Sequence, residues 1–114
     1  MIDIPRARFE ELVADALDDI PEALGRHMDN VWVMVEERAR GDELLGLYEG
    51  VPLTERETYG GMVLPDRITI YRRPICEMCD SETDVVEAVR TTVIHEVAHH
   101  FGIDDDRLDE LGWA

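Results

Sequence analysis

Ser81–Gly102 reads SETDVVEAVRTTVIHEVAHHFG. The stretch decides the fold because it is a helix with both ends written into it. Ser81 is a good N-cap, and Asp84 stands three residues on in the capping-box position. Val86, Val89, Val93, Val97 and Phe101 recur at helical spacing and predict the apolar face. Glu87, Thr91, His95 and His99 mark another face. Gly102 predicts the stop, since glycine enters the left-handed conformation without steric cost.

Moving toward the N-terminus, PICEMC (Pro74–Cys79) reads as a single helical turn opened by Pro74. Before it, DRITIYRR (Asp66–Arg73) alternates strictly. Ile68 and Ile70 face one way, Thr69 and Tyr71 the other, which predicts a half-buried strand, expected at a sheet edge. Residues 50–66 carry Pro52, Gly60, Gly61 and Pro65 and read as a long loop. ELLGLYEG (Glu43–Gly50) is a second candidate strand, interrupted by Gly46. VWVMV (Val31–Val35) is short, apolar and β-branched, and predicts a buried strand. Farther out, Phe9, Leu12, Val13, Ala16 and Leu17 form a helical stripe. Pro21 breaks it, and the pattern resumes briefly toward Gly25.

Composition narrows the function classes. A chain of 114 residues is expected to form one domain, large enough to bury a core without metal or disulfide staples. The formal net charge of −16 argues against nucleic acid and against an anionic membrane, both of which want a basic face. It favours a soluble monomer, although a partner chain completing a cleft is compatible with it. MIDIPRARFEELV lacks the basic and apolar parts of a signal peptide, and no apolar run is of membrane-spanning length. The expected compartment is the cytoplasm, with Cys76 and Cys79 reduced.

The chemistry sits in HEVAHHFGIDD (His95–Asp105). His95 and His99 stand four apart, so one helical face aims two imidazoles at one point. That supplies two ligands for zinc. Glu96 is rotated by about 100° and suits a general base acting on water rather than a ligand. A third ligand has to come from beyond the Gly102 turn. Asp105 is a candidate there, with Asp104 and Asp106 as rivals. Three protein ligands leave a fourth position open, the mark of a catalytic rather than a structural zinc site.

The full pattern is HExxHxxGxxD, and the segment resembles the zincin metallopeptidases, in particular the small minimal zincin-like proteins of bacteria. LPDRITIYRRPI (Leu64–Ile75), VRTTVIHEVAHHFGIDDDRL (Val89–Leu108) and the helix FEELVADALDDIP followed by NVWVMVEE carry the likeness. The resemblance implies an α+β fold in which a small mixed sheet packs on the active-site helix. It implies Zn2+ held by His95, His99 and Asp105, with Glu96 as catalytic base, and a peptide or protein substrate. Two features depart from larger relatives: Asp105 stands where metzincins place a third histidine, and no methionine follows it before Ala114. They give the alternative expectation, a metal-binding regulatory or interaction module with little peptidase activity.

Other residues have plainer readings. Cys76-x-x-Cys79 is half of a four-ligand zinc site and reads as two reduced thiols; a second site would need a residue such as His27. His100 points away from the His95–His99 face and suits the helix C-terminus as a cation. Tyr71, His100 and Arg72 are candidates to stabilise an oxyanion. Arg72 and Arg73 suit either a substrate carboxylate or the surrounding acids. Trp32 and Trp113 read as packing residues. An extended peptide is expected to pair along Arg67–Arg72, provided that strand is an edge.

Overall fold

The structure is a computed structural model describing residues 1–26, 28, 30–41, 43–50, 66–104, 106, 107 and 110. Its elements run α1 (Arg6–Asp18), α2 (Glu22–Gly25), β1 (Val31–Glu36), β2 (Gly46–Glu49), β3 (Asp66–Tyr71), α3 (Arg72–Met78) and α4 (Glu82–His100). The architecture is α+β, with a three-stranded mixed sheet among the described residues.

α1 follows its apolar stripe, burying Phe9, Leu12, Val13 and Ala16. Gly25 is the last residue of α2. Both expected strands before the long loop form, and Gly46 opens β2 rather than breaking it. Of that loop, residues 51–65 lie outside the described residues.

The strand order is β1-β3-β2. β1 lies parallel to β3, with Val31 opposite Asp66 and Glu36 opposite Tyr71. β2 lies antiparallel, with Gly46 opposite Ile70 and Glu49 opposite Arg67. This overturns the edge reading of Arg67–Arg72, since β3 is the central strand and Arg72 already belongs to α3. The half-buried reading fails with it. Ile68, Thr69, Ile70 and Tyr71 are all buried, and Arg67 is the exposed exception. Trp32 is also corrected, because it stands 60% exposed on the outer strand β1 rather than packed. Trp113 lies outside the described residues.

α4 starts and stops as its sequence dictates. The Ser81 hydroxyl accepts from the Asp84 N–H at 3.1 Å. Gly102 has φ 77°, and the turn closes with Ile103 N–H donating to Ala98 O at 2.9 Å. The buried stripe, however, begins at Val85, which is fully buried, whereas Val86 is 42% exposed. Val85, Val89, Val93 and Val97 stand strictly four apart and stack down one face. The adjacent valines offered two registers, and packing chose the one that keeps this stack.

The core joins this stack to Phe9 and Val13 of α1, Val35 of β1, and Ile68 and Ile70 of β3. Full burial of each such side chain stabilises by about 1.5–3 kcal/mol. α3 begins at Arg72, two residues ahead of Pro74, so the proline sits harmlessly within its first turn. None of the helices among the described residues is long and apolar enough to cross a membrane.

Candidate metal centre

The last two turns of α4 bring three donors together. His95, Glu96 and His99 each offer one ligand atom, and these atoms lie within 4.8 Å of one another. The two imidazole rings meet edge-on, centroids 4.5 Å apart. Glu96 Oε1 lies 3.4 Å from His99 Nδ1. The histidines are half-buried and open to solvent, while the Glu96 side chain is only 7% exposed. A rigid helix thus presents two imidazoles at a surface, with the sheltered carboxyl group of Glu96 beside them. Such a set can hold a divalent cation or move a proton.

The shelter for Glu96 comes from β2. A Cβ placed on Gly46 would lie 3.2 Å from Glu96 Oε2, 3.1 Å from its Cγ and 2.7 Å from Thr92 Cγ2. The glycine that weakened the strand reading is therefore what allows α4 to approach β2 here. Thr92 cannot readily yield, because its hydroxyl donates to Ala88 O at 2.7 Å.

Asp105, expected as a third ligand, lies outside the described residues, as does His27. Asp104 Oδ1 accepts from the Arg107 N–H at 2.9 Å. Asp106 is exposed.

The three oxyanion candidates part company. Arg72 is buried far into a polar cluster, donating to Glu37 Oε2 at 2.8 Å, Asp3 Oδ1 at 3.0 Å and Ile4 O at 2.7 Å. Its alternative reading, pairing with nearby acids, is the one realised, and Arg73 also approaches Glu37, at 3.8 Å. His100 is sealed from solvent. Tyr71 is held protonated. Burial pushes its phenol up, and the carboxylates of Glu49, Glu36 and Glu96 add to that.

His100 departs from its plain reading as a surface cation at a helix end. Its Nδ1 lies 2.6 Å from Asp66 Oδ2, and both side chains are buried. Tyr48 donates its hydroxyl to the same Asp66 oxygen at 3.0 Å. Sequence reasoning missed Asp66 and Tyr48 altogether. The doubled histidine at 99–100 was the available signal, since each lies on a different face of the helix.

Cys76 and Cys79 are both free and buried. Burial pushes the Cys79 thiol up, with Asp84 adding to it, so it is a poor nucleophile and a poor ligand at neutral pH.

A search of curated proteins found no match. Among solved structures, the chain is similar to a conserved hypothetical protein from Thermus thermophilus. The two share 25% identity over 95% of this chain and 97% of that one, with a TM-score of 0.57. A family model described as zincin-like metallopeptidase matches residues 28–113.

Proposed function

Because the chain belongs to the zincin-like metallopeptidase family, we propose that it is a zinc-dependent peptidase in which Glu96 is the general base. The observation that carries the reading is the convergence of His95, Glu96 and His99 on one helix end. The donor set fits zinc, which takes imidazole nitrogen and carboxylate oxygen readily. His95 and His99 would hold the metal, with Asp105 as third ligand. A zinc ion there supplies Lewis acidity to the scissile carbonyl and to the attacking water.

The chain's own residues do the rest. Glu96 takes the proton from the water and passes it to the departing amine, and its sheltered place beside Gly46 keeps it aimed. The strand for substrate pairing moves from β3 to β2, which among the described residues is the outer strand that packs against α4. An extended peptide adding beside Gly46–Glu49 would use main-chain pairing.

The test is a Glu96→Gln variant. It should keep one equivalent of zinc by elemental analysis and lose hydrolysis of quenched fluorescent peptides. Unchanged hydrolysis removes Glu96 from the mechanism. A zinc-loaded wild type that cleaves no peptide leaves the binding-module alternative in its place.

A further inference from the structure

Glu96 and His100 stand four apart and share the buried side of α4. Gly46 and Tyr48 stand two apart and share one side of β2. The two spacings match, about 6 Å per four helical residues and about 6.8 Å per two strand residues. The pairs meet accordingly: Glu96 lies against Gly46, and the His100 ring meets the Tyr48 ring at 5.9 Å.

Asp66 locks the second of these contacts. It stands at the start of β3, 1% exposed, and takes Tyr48 Oη from β2 and His100 Nδ1 from α4 on one oxygen. His100 Nδ1 and Tyr48 Oη thus converge on a single Asp66 oxygen, at 2.6 and 3.0 Å. His100 Nε2 finds no hydrogen-bond partner among the described residues, so Asp66 is the polar tie of the ring there. The chain is also fitted closely around Asp66. A Cβ on Gly50, at φ 154°, would lie 2.5 Å from Asp66 Oδ1. Burying a carboxylate with an imidazole is costly, and apolar residues would fill the same volume at less expense. What a polar cluster adds is one defined arrangement of the three elements it joins.

We infer that His100, through Asp66 and Tyr48, is a positioning residue that fixes the register of β2 against α4 and so holds the metal-site end of the helix and the Gly46 slot for Glu96. The inference rests on the peptidase reading above, since it concerns how the proposed ligands and base are held. His100 touches no substrate. It acts by keeping the turn that carries His99, and the strand that shelters Glu96, in one relation. Supporting groups around metal sites are worth 10–100-fold in metal affinity.

The test compares His100→Phe, which fills the space without the hydrogen bond, with His100→Asn, whose amide nitrogen can take the place of Nδ1. Val89→Ala, a core cavity two turns from the site, controls for lost stability. Zinc affinity is read by chelator competition, ligand geometry by the absorption bands of the cobalt(II) form, and stability by thermal melting. His100→Phe should bind zinc at least tenfold more weakly with altered cobalt bands. His100→Asn should stay within about threefold of wild type, and Val89→Ala should melt earlier with affinity and bands unchanged. If His100→Phe does not fold, Tyr48→Phe removes one hydroxyl from the same cluster and should shift both readouts in the same direction. His100→Phe that merely melts earlier, as Val89→Ala does, overturns the inference, and so does failure of His100→Asn to recover affinity. A wild type that takes up no zinc overturns the peptidase reading and this one together.

Discussion

Replacing Gly46 with alanine adds one methyl at a position where the structure has no room. That methyl would meet Thr92 Cγ2 at 2.7 Å, well inside van der Waals contact, and Glu96 Cγ at 3.1 Å. Thr92 cannot swing aside without giving up its hydrogen bond to Ala88 O. Forcing an extra methyl into such a contact costs about 1–3 kcal/mol. For a chain of this size that lowers Tm by roughly 4–15 °C. Thr92→Ser removes the obstructing methyl and keeps the hydroxyl, so the Gly46→Ala/Thr92→Ser double variant should regain most of the stability. The contact with Glu96 persists in the double variant, so its peptide hydrolysis should stay reduced while its melting recovers. Urea unfolding of the four proteins gives the coupling energy, and hydrolysis rates on the same samples separate packing from catalysis. A Gly46→Ala variant as stable as wild type, or one that Thr92→Ser fails to rescue, would refute this account of why β2 has a glycine there.

Three further outcomes follow from the same structure. Val85→Ala should cost about 2 kcal/mol or more in urea unfolding, whereas Val86→Ala should fall within about 0.5 kcal/mol, because only the first lies in the buried stack. Gly102→Ala should cost about 1 kcal/mol, since φ of 77° strains any residue with a Cβ; an unchanged melting curve would count against that turn. The hydrogen bond from Arg72 holds the Glu37 carboxyl below the usual glutamate range, with burial opposing and the charges of Arg72, Arg73 and Arg6 assisting. A lowered folded value means the carboxylate favours the folded state above its unfolded pKa, and that contribution is lost as pH falls through the lowered value. Glu37→Gln should therefore be less stable than wild type at pH 7, and the gap should close in strong acid; a gap that persists there would contradict the assignment.

How much was legible in the sequence depended on the range over which each feature is decided. The helices and strands were readable because period, caps and turn residues are local. Ser81, Gly102 and the β-branched run of β1 each carry their own signal. The pairing of His95 and His99 was readable for the same reason, since four residues on a helix fix a face. The register of α4 was not, because Val85 and Val86 satisfy a local apolar pattern equally and only the packed core chooses. The place of β3 was misread because alternation reports two faces but not two neighbours. Whether a strand lies at the centre or the edge is settled by what pairs with it from far away. Asp66 was invisible for a related reason. Following Pro65 at the mouth of a loop, it reads as an ordinary turn residue, and its burial exists only once Tyr48 and His100 arrive.

The strand order has a consequence for how the chain assembles. Among the described residues, β1 and β2 come first in sequence, yet they do not pair with each other; each pairs with β3, which follows both. Joining Val31 to Asp66 closes a loop of about 35 residues, an entropic cost on the order of 3 kcal/mol before any ladder repays it. α1, from the opposite end of the chain, then packs on α4. Folding must therefore wait on contacts between distant segments, and it should be slow for so small a protein. On a ribosome, both early strands emerge before β3, the strand that joins them. The histidine helix comes later still, so its His95–His99 end is made last, after every strand among the described residues.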